Sequence, residues 1–170
     1  MYTCTRKIGL DAGHRIPTHG SKCKNLHGHR YTIEATCQAK ELIEEGTQSG
    51  MVLDFGFLKD EMMRMIHEPC DHTMMLWIED PLLKVLEFPN QSEDNLQKYV
   101  EEDGCYWLYQ KDVGILFLMA QIPTAENLAK LWFHRLAPEV VNRSEGKAEL
   151  ISLRVFETPN CAATYTPSKG

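Results

Sequence analysis

Residues 27–40, HGHRYTIEATCQAK, decide the fold class, because apolar and polar side chains alternate strictly along them from Tyr31 onward. Alternation with a period of two is typical of a β-strand that buries one face and exposes the other, as antiparallel strands commonly do. The apolar parity comprises Tyr31, Ile33, Ala35, Cys37 and Ala39. The stretch therefore predicts a half-buried antiparallel strand, and the segments on either side are interpreted as its partners.

Four other segments have strand patterns. Residues 3–12 and 149–158 alternate, residues 114–120 form a short apolar run, and residues 161–166 follow a Pro-Asn turn. The predicted buried face of the 149–158 strand comprises Ile151, Leu153 and Val155. Antiparallel strands near both ends of the chain, with helices between them, predict an α+β fold.

Two segments have the apolar spacing of amphipathic helices. The first is predicted to begin directly after Asp54, a favourable N-cap residue, and to end at Pro69. The second is predicted to begin after Thr124 and to end at Pro138. Between them, residues from about 79 to 112 mix apolar and acidic stretches, which predicts an insertion with one or two short helices.

The composition is ordinary for a globular protein. With 170 residues, 43% of them hydrophobic and 25% charged, the chain is expected to form one domain over residues 1–170. The net charge of -6 argues against a nucleic acid or a membrane surface as a partner. No stretch approaches the roughly 20 apolar residues of a membrane span, and the N-terminus lacks the apolar core of a signal peptide. Six cysteines without a CxxC pair predict reduced thiols in a cytoplasmic protein.

Three histidines share the parity of the predicted core. His14 continues the apolar parity of the first strand, and His27 and His29 continue that of the second. Two histidines one residue apart on a strand lie about 7 Å from each other at Cα, close enough to share a metal ion. Zn²⁺ binds neutral imidazole, and three protein ligands leave a fourth position open, as in catalytic zinc sites.

Cys23 precedes the histidine pair in a loop, and two interpretations of it are open. As a fourth ligand it would close the metal site and make the site structural. As a thiolate favoured by the nearby metal charge, it would act as a base or a nucleophile. The residues alone do not choose between these roles.

Two further positions carry acid–base chemistry. Asp71 and His72 can form a proton relay, provided that the chain bends between them. Glu157 continues the core-facing parity of the 149–158 strand, where a carboxylate is costly unless it meets a cation, a set of donors or a ligand. A planar, guanidine-like ligand edge would suit this carboxylate.

Six segments, taken in order, resemble the superfamily of 6-pyruvoyltetrahydropterin and 6-carboxytetrahydropterin synthases. They are AGHRI (12–16), CKNLHGHRY (23–31), GMVLDFGFLK (50–59), CDHTMML (70–76), PTAENLA (123–129) and VFETPNCAATY (155–165). The resemblance excludes residues from about 84 to 112. It implies a tunnelling fold, in which a four-stranded antiparallel sheet carries two helices on one face. Subunits of that fold assemble as a homohexamer of two trimers, with active sites between subunits.

The resemblance also implies a role for seven residues. The zinc ligands of the family correspond to His14, His27 and His29. Cys23 corresponds to the catalytic proton acceptor, with Asp71 and His72 as its acid/base partners. Glu157 corresponds to the pterin anchor, which in some members also counts in the proton relay.

The spacing C-x3-H-G-H from Cys23 to His29 resembles the bacterial 6-carboxytetrahydropterin synthases of the queuosine pathway. That branch implies conversion of 7,8-dihydroneopterin triphosphate into 6-carboxy-5,6,7,8-tetrahydropterin, acetaldehyde and triphosphate. The alternatives are formation of 6-pyruvoyltetrahydropterin from the same substrate, and a non-catalytic, zinc-stabilised binding protein. Cationic candidates for the triphosphate, chosen by proximity in sequence, are Arg15, Lys22, Lys24 and Arg30.

Overall fold

The computed structural model describes residues 1–88 and 92–168, and within these ranges it contains one mixed seven-stranded sheet. The strands are β1 (Tyr2–His14), β2 (His27–Ala39), β3 (Met74–Trp77), β4 (Cys105–Gln110), β5 (Gly114–Met119), β6 (Glu149–Thr158) and β7 (Cys161–Tyr165). From one edge to the other, their order is β4-β5-β3-β1-β2-β6-β7.

Helices connect these strands. The α-helices are α1 (Phe55–Met62), the short α2 (Glu68–Cys70), α3 (Glu93–Asp103) and α4 (Ala125–Arg143). A π-helical turn, Met63–His67, joins α1 to α2, and 3-10 turns occupy Lys22–Lys24 and Pro81–Val85. The predicted α+β class is confirmed.

The predicted four-stranded antiparallel sheet is wrong in extent. Strands β1, β2, β6 and β7 are consecutive antiparallel neighbours, as expected. However, β3 adds to β1 in parallel, β5 adds to β3 in parallel, and β4 completes this side as an antiparallel edge strand. Strand β3 escapes a pattern search because adjacent residues, Met75 and Leu76, are both fully buried, on opposite faces of the sheet.

Helices cover both faces of the sheet. On one face α1 and α4 pack together over the strands, which confirms the two predicted helices on one face. The largest side chains of this main core include Tyr31, Leu58, Met62, Trp132 and Leu136. A second, smaller core on the other face comprises Leu76, Leu83, Leu96, Val100, Leu116 and Leu118, so α3 and the Pro81–Val85 turn cover β3 and β5 there.

The insertion predicted at residues 79–112 is thus integrated into the sheet. It contains the expected helical segments, the Pro81–Val85 turn and α3, but also the edge strand β4, which was not predicted. Residues 89–91 of the insertion lie outside the described ranges.

Both helix starts are confirmed by their caps, whereas the end predicted for the second helix at Pro138 is wrong. The Asp54 carboxylate accepts the amide hydrogen of Phe57 at 3.0 Å, and the Thr124 hydroxyl caps α4. Helix α4 continues through Pro138 because Val140 beyond it is fully buried, and burial of that side chain offsets the hydrogen bond that proline cannot donate. The first helical run ends at Cys70, one residue after the predicted end at Pro69.

Ile151 is not on the buried face predicted for β6. The pairing of β2 with β6 shifts between Thr36–Ser152 and Cys37–Leu150, so Ile151 is the extra residue of a β-bulge. Leu150 is buried in its place, while Leu153 and Val155 are buried as predicted.

Candidate active site

The register of β1 and β2 brings the three predicted histidines together. His14 lies directly opposite His27, and His29 lies opposite Ala12. One ring nitrogen from each histidine lies within 4.8 Å of the others. His14 is buried, with 1% of its surface exposed, whereas His27 and His29 are partly exposed. The cluster is therefore buried at His14 and accessible at His27 and His29.

Two backbone carbonyls fix which ring nitrogens carry hydrogen. The Nδ1 atom of His14 lies 2.7 Å from the Pro123 carbonyl oxygen, and that of His27 lies 2.8 Å from the Asn25 carbonyl oxygen. Carbonyl oxygens only accept, so both Nδ1 atoms donate, and in neutral rings both Nε2 atoms present lone pairs. These two Nε2 atoms face each other at 3.1 Å.

Two facing lone pairs favour a cation between or beside them, and the buried His14 ring is a poor site for the proton that could otherwise take that place. Burial lowers the pKa of His14 to about 4, and the neighbouring His27 and His29 lower it further, although the Pro123 carbonyl opposes them. Metal-ligating histidines characteristically donate the other ring N–H to a backbone carbonyl, as His14 and His27 do. The cluster has the geometry and the tautomers of a site that can hold a metal ion.

The metal-free protein is expected to lose about 2 kcal/mol of stability between about pH 7 and about pH 5 through His14. Its folded pKa of about 4 lies below the ordinary 6.5, so in this range the unfolded chain binds the extra proton. The contribution of neutral His14 to the free energy of unfolding is complete above the pKa of the unfolded chain. It is lost as the pH falls toward the pKa that His14 has in the folded protein. Urea denaturation of chelator-treated protein at both pH values measures it. An equal loss in His14→Gln would contradict this assignment.

Gly28 separates the two histidines of β2 where β1 passes very close. A Cβ atom at position 28 would lie 3.0 Å from the Ala12 carbonyl oxygen. Gly28→Ala is therefore expected to lower the free energy of unfolding by about 1–3 kcal/mol and to weaken metal binding, because β1 and β2 must separate. Denaturation and metal titration measure both effects. Gly20→Ala is the matched control, since a Cβ there meets no atom within 4 Å; equal behaviour of the two variants would contradict the prediction.

Asp71 and His72 form the predicted pair. The His72 Nδ1 lies 2.6 Å from Asp71 Oδ2, and the other carboxylate oxygen accepts the Asp11 amide hydrogen at 3.1 Å. The required bend is present, because His72 has a positive φ of 56°. Burial alone would raise the pKa of Asp71, but hydrogen bonds from the Asp11 amide and the His72 ring lower it below the ordinary value. Asp71 thus stays ionised and orients an exposed imidazole.

One surface groove is lined by one histidine of the cluster and one residue of this pair. His29 from the cluster and His72 from the pair both line a groove of about 420 Å³, together with Asp11, Met74 and Ile115. A larger cavity of about 920 Å³ lies around residues 38–45 and 146–149 and includes none of the predicted site residues. Of these two, only the smaller groove is lined by predicted site residues.

Cys23 and Glu157 are not members of the possible metal-ligand group. Cys23 is partly exposed in the Lys22–Lys24 turn, and within the described residues the group of possible metal ligands contains the three histidines without it. Glu157 is partly exposed on β6, and its negative charge interacts electrostatically with His29. Burial lowers the pKa of His29, and the Glu157 charge opposes that effect.

Sequence reasoning missed the groups that hold the site residues. The Pro123 carbonyl fixes the His14 tautomer, and the Asp11 amide holds Asp71. Pro123 belongs to the PTAENLA segment, which carried part of the family resemblance but for which no role in the site was predicted. Two proposed triphosphate cations are already paired, Arg15 with Asp80 and Arg30 with Asp11.

Comparison with known proteins identifies the family. The sequence model described as "6-pyruvoyl tetrahydropterin synthase" matches residues 3–168. The chain belongs to this family. A Rickettsia bellii protein named 6-carboxy-5,6,7,8-tetrahydropterin synthase is 34% identical over 161 residues, which are 95% of this chain and 97% of that protein. A Haemophilus influenzae protein of the same name is 26% identical over 165 residues, covering 97% and 99% of the two chains.

Solved structures with this fold include more distant proteins. An uncharacterized protein from Wolinella succinogenes has a TM-score of 0.71 at 18% identity, covering 98% of each chain. The 6-pyruvoyl tetrahydropterin synthase of Caenorhabditis elegans has a TM-score of 0.59 at 24% identity, covering 98% of this chain and 96% of that one. At these identities the likeness establishes the fold alone.

Among the described helices, none is long and apolar enough for a bilayer crossing.

Proposed function

We propose that this member of the family is a zinc-dependent 6-carboxy-5,6,7,8-tetrahydropterin synthase. The observation that carries the proposal is the cluster of His14, His27 and His29, whose two facing Nε2 lone pairs favour a cation. The name of the Rickettsia bellii relative and the C-x3-H-G-H spacing support the carboxy product. The substrate would be the small molecule 7,8-dihydroneopterin triphosphate, and the products would be 6-carboxytetrahydropterin, acetaldehyde and triphosphate.

Zinc suits the three histidines as ligands. Three neutral imidazoles are a common ligand set of catalytic zinc, which keeps a fourth position for a substrate oxygen, and two of these three are partly exposed. Bound zinc would act as a Lewis acid on the oxygens of the substrate side chain. Because Pro123 holds His14 on the buried side, a substrate would approach the cluster from the side of His27 and His29.

The proton transfers are assigned to the chain's own residues. Cys23, in the loop before the cluster, accepts a proton from the substrate side chain as a thiolate. His72, oriented by the ionised Asp71, returns a proton to the substrate at another position. Glu157 holds the guanidine-like edge of the pterin through two parallel hydrogen bonds, so that these groups meet the side chain and not the ring.

A homohexamer of two trimers, with sites between subunits, fits two features of the monomer. Strand β1 pairs with β3 only at Gly13 and His14, so most of its outer edge is free among the described residues. Strand β7 forms the opposite edge of the sheet. Free edges of this kind can pair between subunits. We further propose a cytoplasmic, single-domain enzyme of queuosine and other 7-deazaguanine biosynthesis.

Product analysis tests the proposed reaction. The zinc-loaded protein is incubated with dihydroneopterin triphosphate without oxygen, and the products are identified by mass spectrometry and an acetaldehyde assay. Carboxytetrahydropterin with acetaldehyde is expected. Pyruvoyltetrahydropterin without acetaldehyde would contradict the proposal and move the protein to the other branch of its family. Unchanged substrate would contradict both synthase activities and favour a non-catalytic, zinc-stabilised binding protein.

A further inference from the structure

Asp80 is a buried carboxylate at the start of the insertion. It caps the Pro81–Val85 turn, where its Oδ1 accepts the Leu82 amide hydrogen at 2.8 Å, and only 1% of its surface is exposed. Its other oxygen lies 3.0 Å from the Nε of Arg15. Neither of these two atoms has an aligned hydrogen-bond partner among the described residues. Coulombic attraction to Arg15 therefore adds to the Leu82 hydrogen bond in offsetting the burial of the Asp80 charge.

Arg15 lies between two parts of the candidate site. It directly follows His14, and the next residue, Ile16, donates its amide hydrogen to the Cys23 carbonyl oxygen at 2.8 Å. The Arg15 side chain is only 20% exposed, and its contact with Asp80 directs it toward the insertion. A shift of Arg15 would therefore displace the backbone of a proposed zinc ligand and of the loop that holds the proposed base.

We propose that Arg15 and Asp80 are a positioning pair, through which the insertion fixes the backbone of His14 and the loop of Cys23. The inference rests on the proposed function and deepens it, since it assigns a role to the insertion in the same site. It also gives Arg15 a role other than triphosphate binding. A substrate cation would mainly affect KM, whereas a positioning residue affects zinc affinity and kcat.

Three variants separate positioning from stability: Asp80→Asn, which keeps the cap, Arg15→Met, and the double variant. Each single change leaves one buried charge without its partner, so both single variants are expected to unfold at lower urea concentration. The double variant removes both charges and is expected to recover much of that loss. In all three, zinc affinity should be about tenfold weaker and kcat lower, with KM within about twofold of wild type.

Two results would overturn the proposal. A double variant with recovered stability, wild-type zinc affinity and wild-type kcat would make the pair structural only. A raised KM with unchanged kcat in Arg15→Met would make Arg15 a substrate cation. Glu87→Gln is the matched control, because Glu87 pairs with Lys111 at 3.0 Å on the exposed surface of the same insertion; its zinc affinity and kcat should equal those of wild type. Zinc affinity is measured without substrate, so an inactive wild type would refute the proposed function and still leave this pair testable.

Discussion

Replacing His27 with alanine is expected to reduce the zinc content from about one ion per chain to nearly none. His27 is partly exposed and contributes one of the two facing Nε2 atoms, so its removal leaves two ligands and a largely intact core. Turnover should fall at least about a thousandfold, because several kcal/mol of transition-state stabilisation are lost and about 1.4 kcal/mol corresponds to a factor of ten. Metal analysis of the purified variant and a product assay measure the two effects.

The matched control is His134→Ala. His134 is an exposed histidine of α4, and its Nε2 lies 3.2 Å from the Tyr165 hydroxyl, so it tests the loss of an imidazole outside the cluster. It should retain both zinc and turnover. Full zinc content and activity in His27→Ala would mean that the metal, if it is needed, is held elsewhere, and the assigned ligand set would be wrong.

Replacing Cys23 with alanine is expected to abolish most turnover while zinc binding persists. Loss of a positioned general base commonly costs about 10²- to 10⁴-fold in rate. Zinc should remain because the ligand group among the described residues consists of the three histidines, and Cys23 lies outside it in the Lys22–Lys24 turn. Metal analysis and kcat measured on the same preparation test both parts.

Cys161→Ala controls for the removal of a thiol. Cys161 is an exposed cysteine on β7, and we expect its variant to retain zinc and kcat. Loss of zinc from Cys23→Ala would identify Cys23 as a fourth ligand, and the site would then be closed and structural. Retention of full kcat would remove Cys23 from the chemistry altogether.

Local patterns predicted the central part of the fold and of the site. The alternation of β2 defined both its faces, and the same parity placed His27 and His29 on the core side. Asp54 and Thr124 predicted helix starts because capping depends on residues only two or three positions away. The histidine cluster followed once β1 paired with β2, since parity and register are both properties of the alternating sequence.

The remaining features depend on contacts that no local pattern contains. Strand β3 pairs in parallel with segments distant in sequence, and burial on both faces removes its alternation. The bulge at Ile151 changes the buried face of β6 without a signal in the composition. The Pro123 carbonyl that orients His14 is 109 residues away along the chain. Burial of Val140 likewise overrides the helix-ending tendency of Pro138.

Zinc titration of the metal-free enzyme is the most direct test of the claim that this cluster holds a catalytic metal. The protein is stripped with a chelator, zinc is added stepwise, and acetaldehyde release from dihydroneopterin triphosphate is recorded at each step. Activity is expected to be absent at the start and to rise in proportion to zinc until about one ion per chain is bound. Full activity of the stripped protein, or zinc binding that brings no acetaldehyde release, would contradict the account.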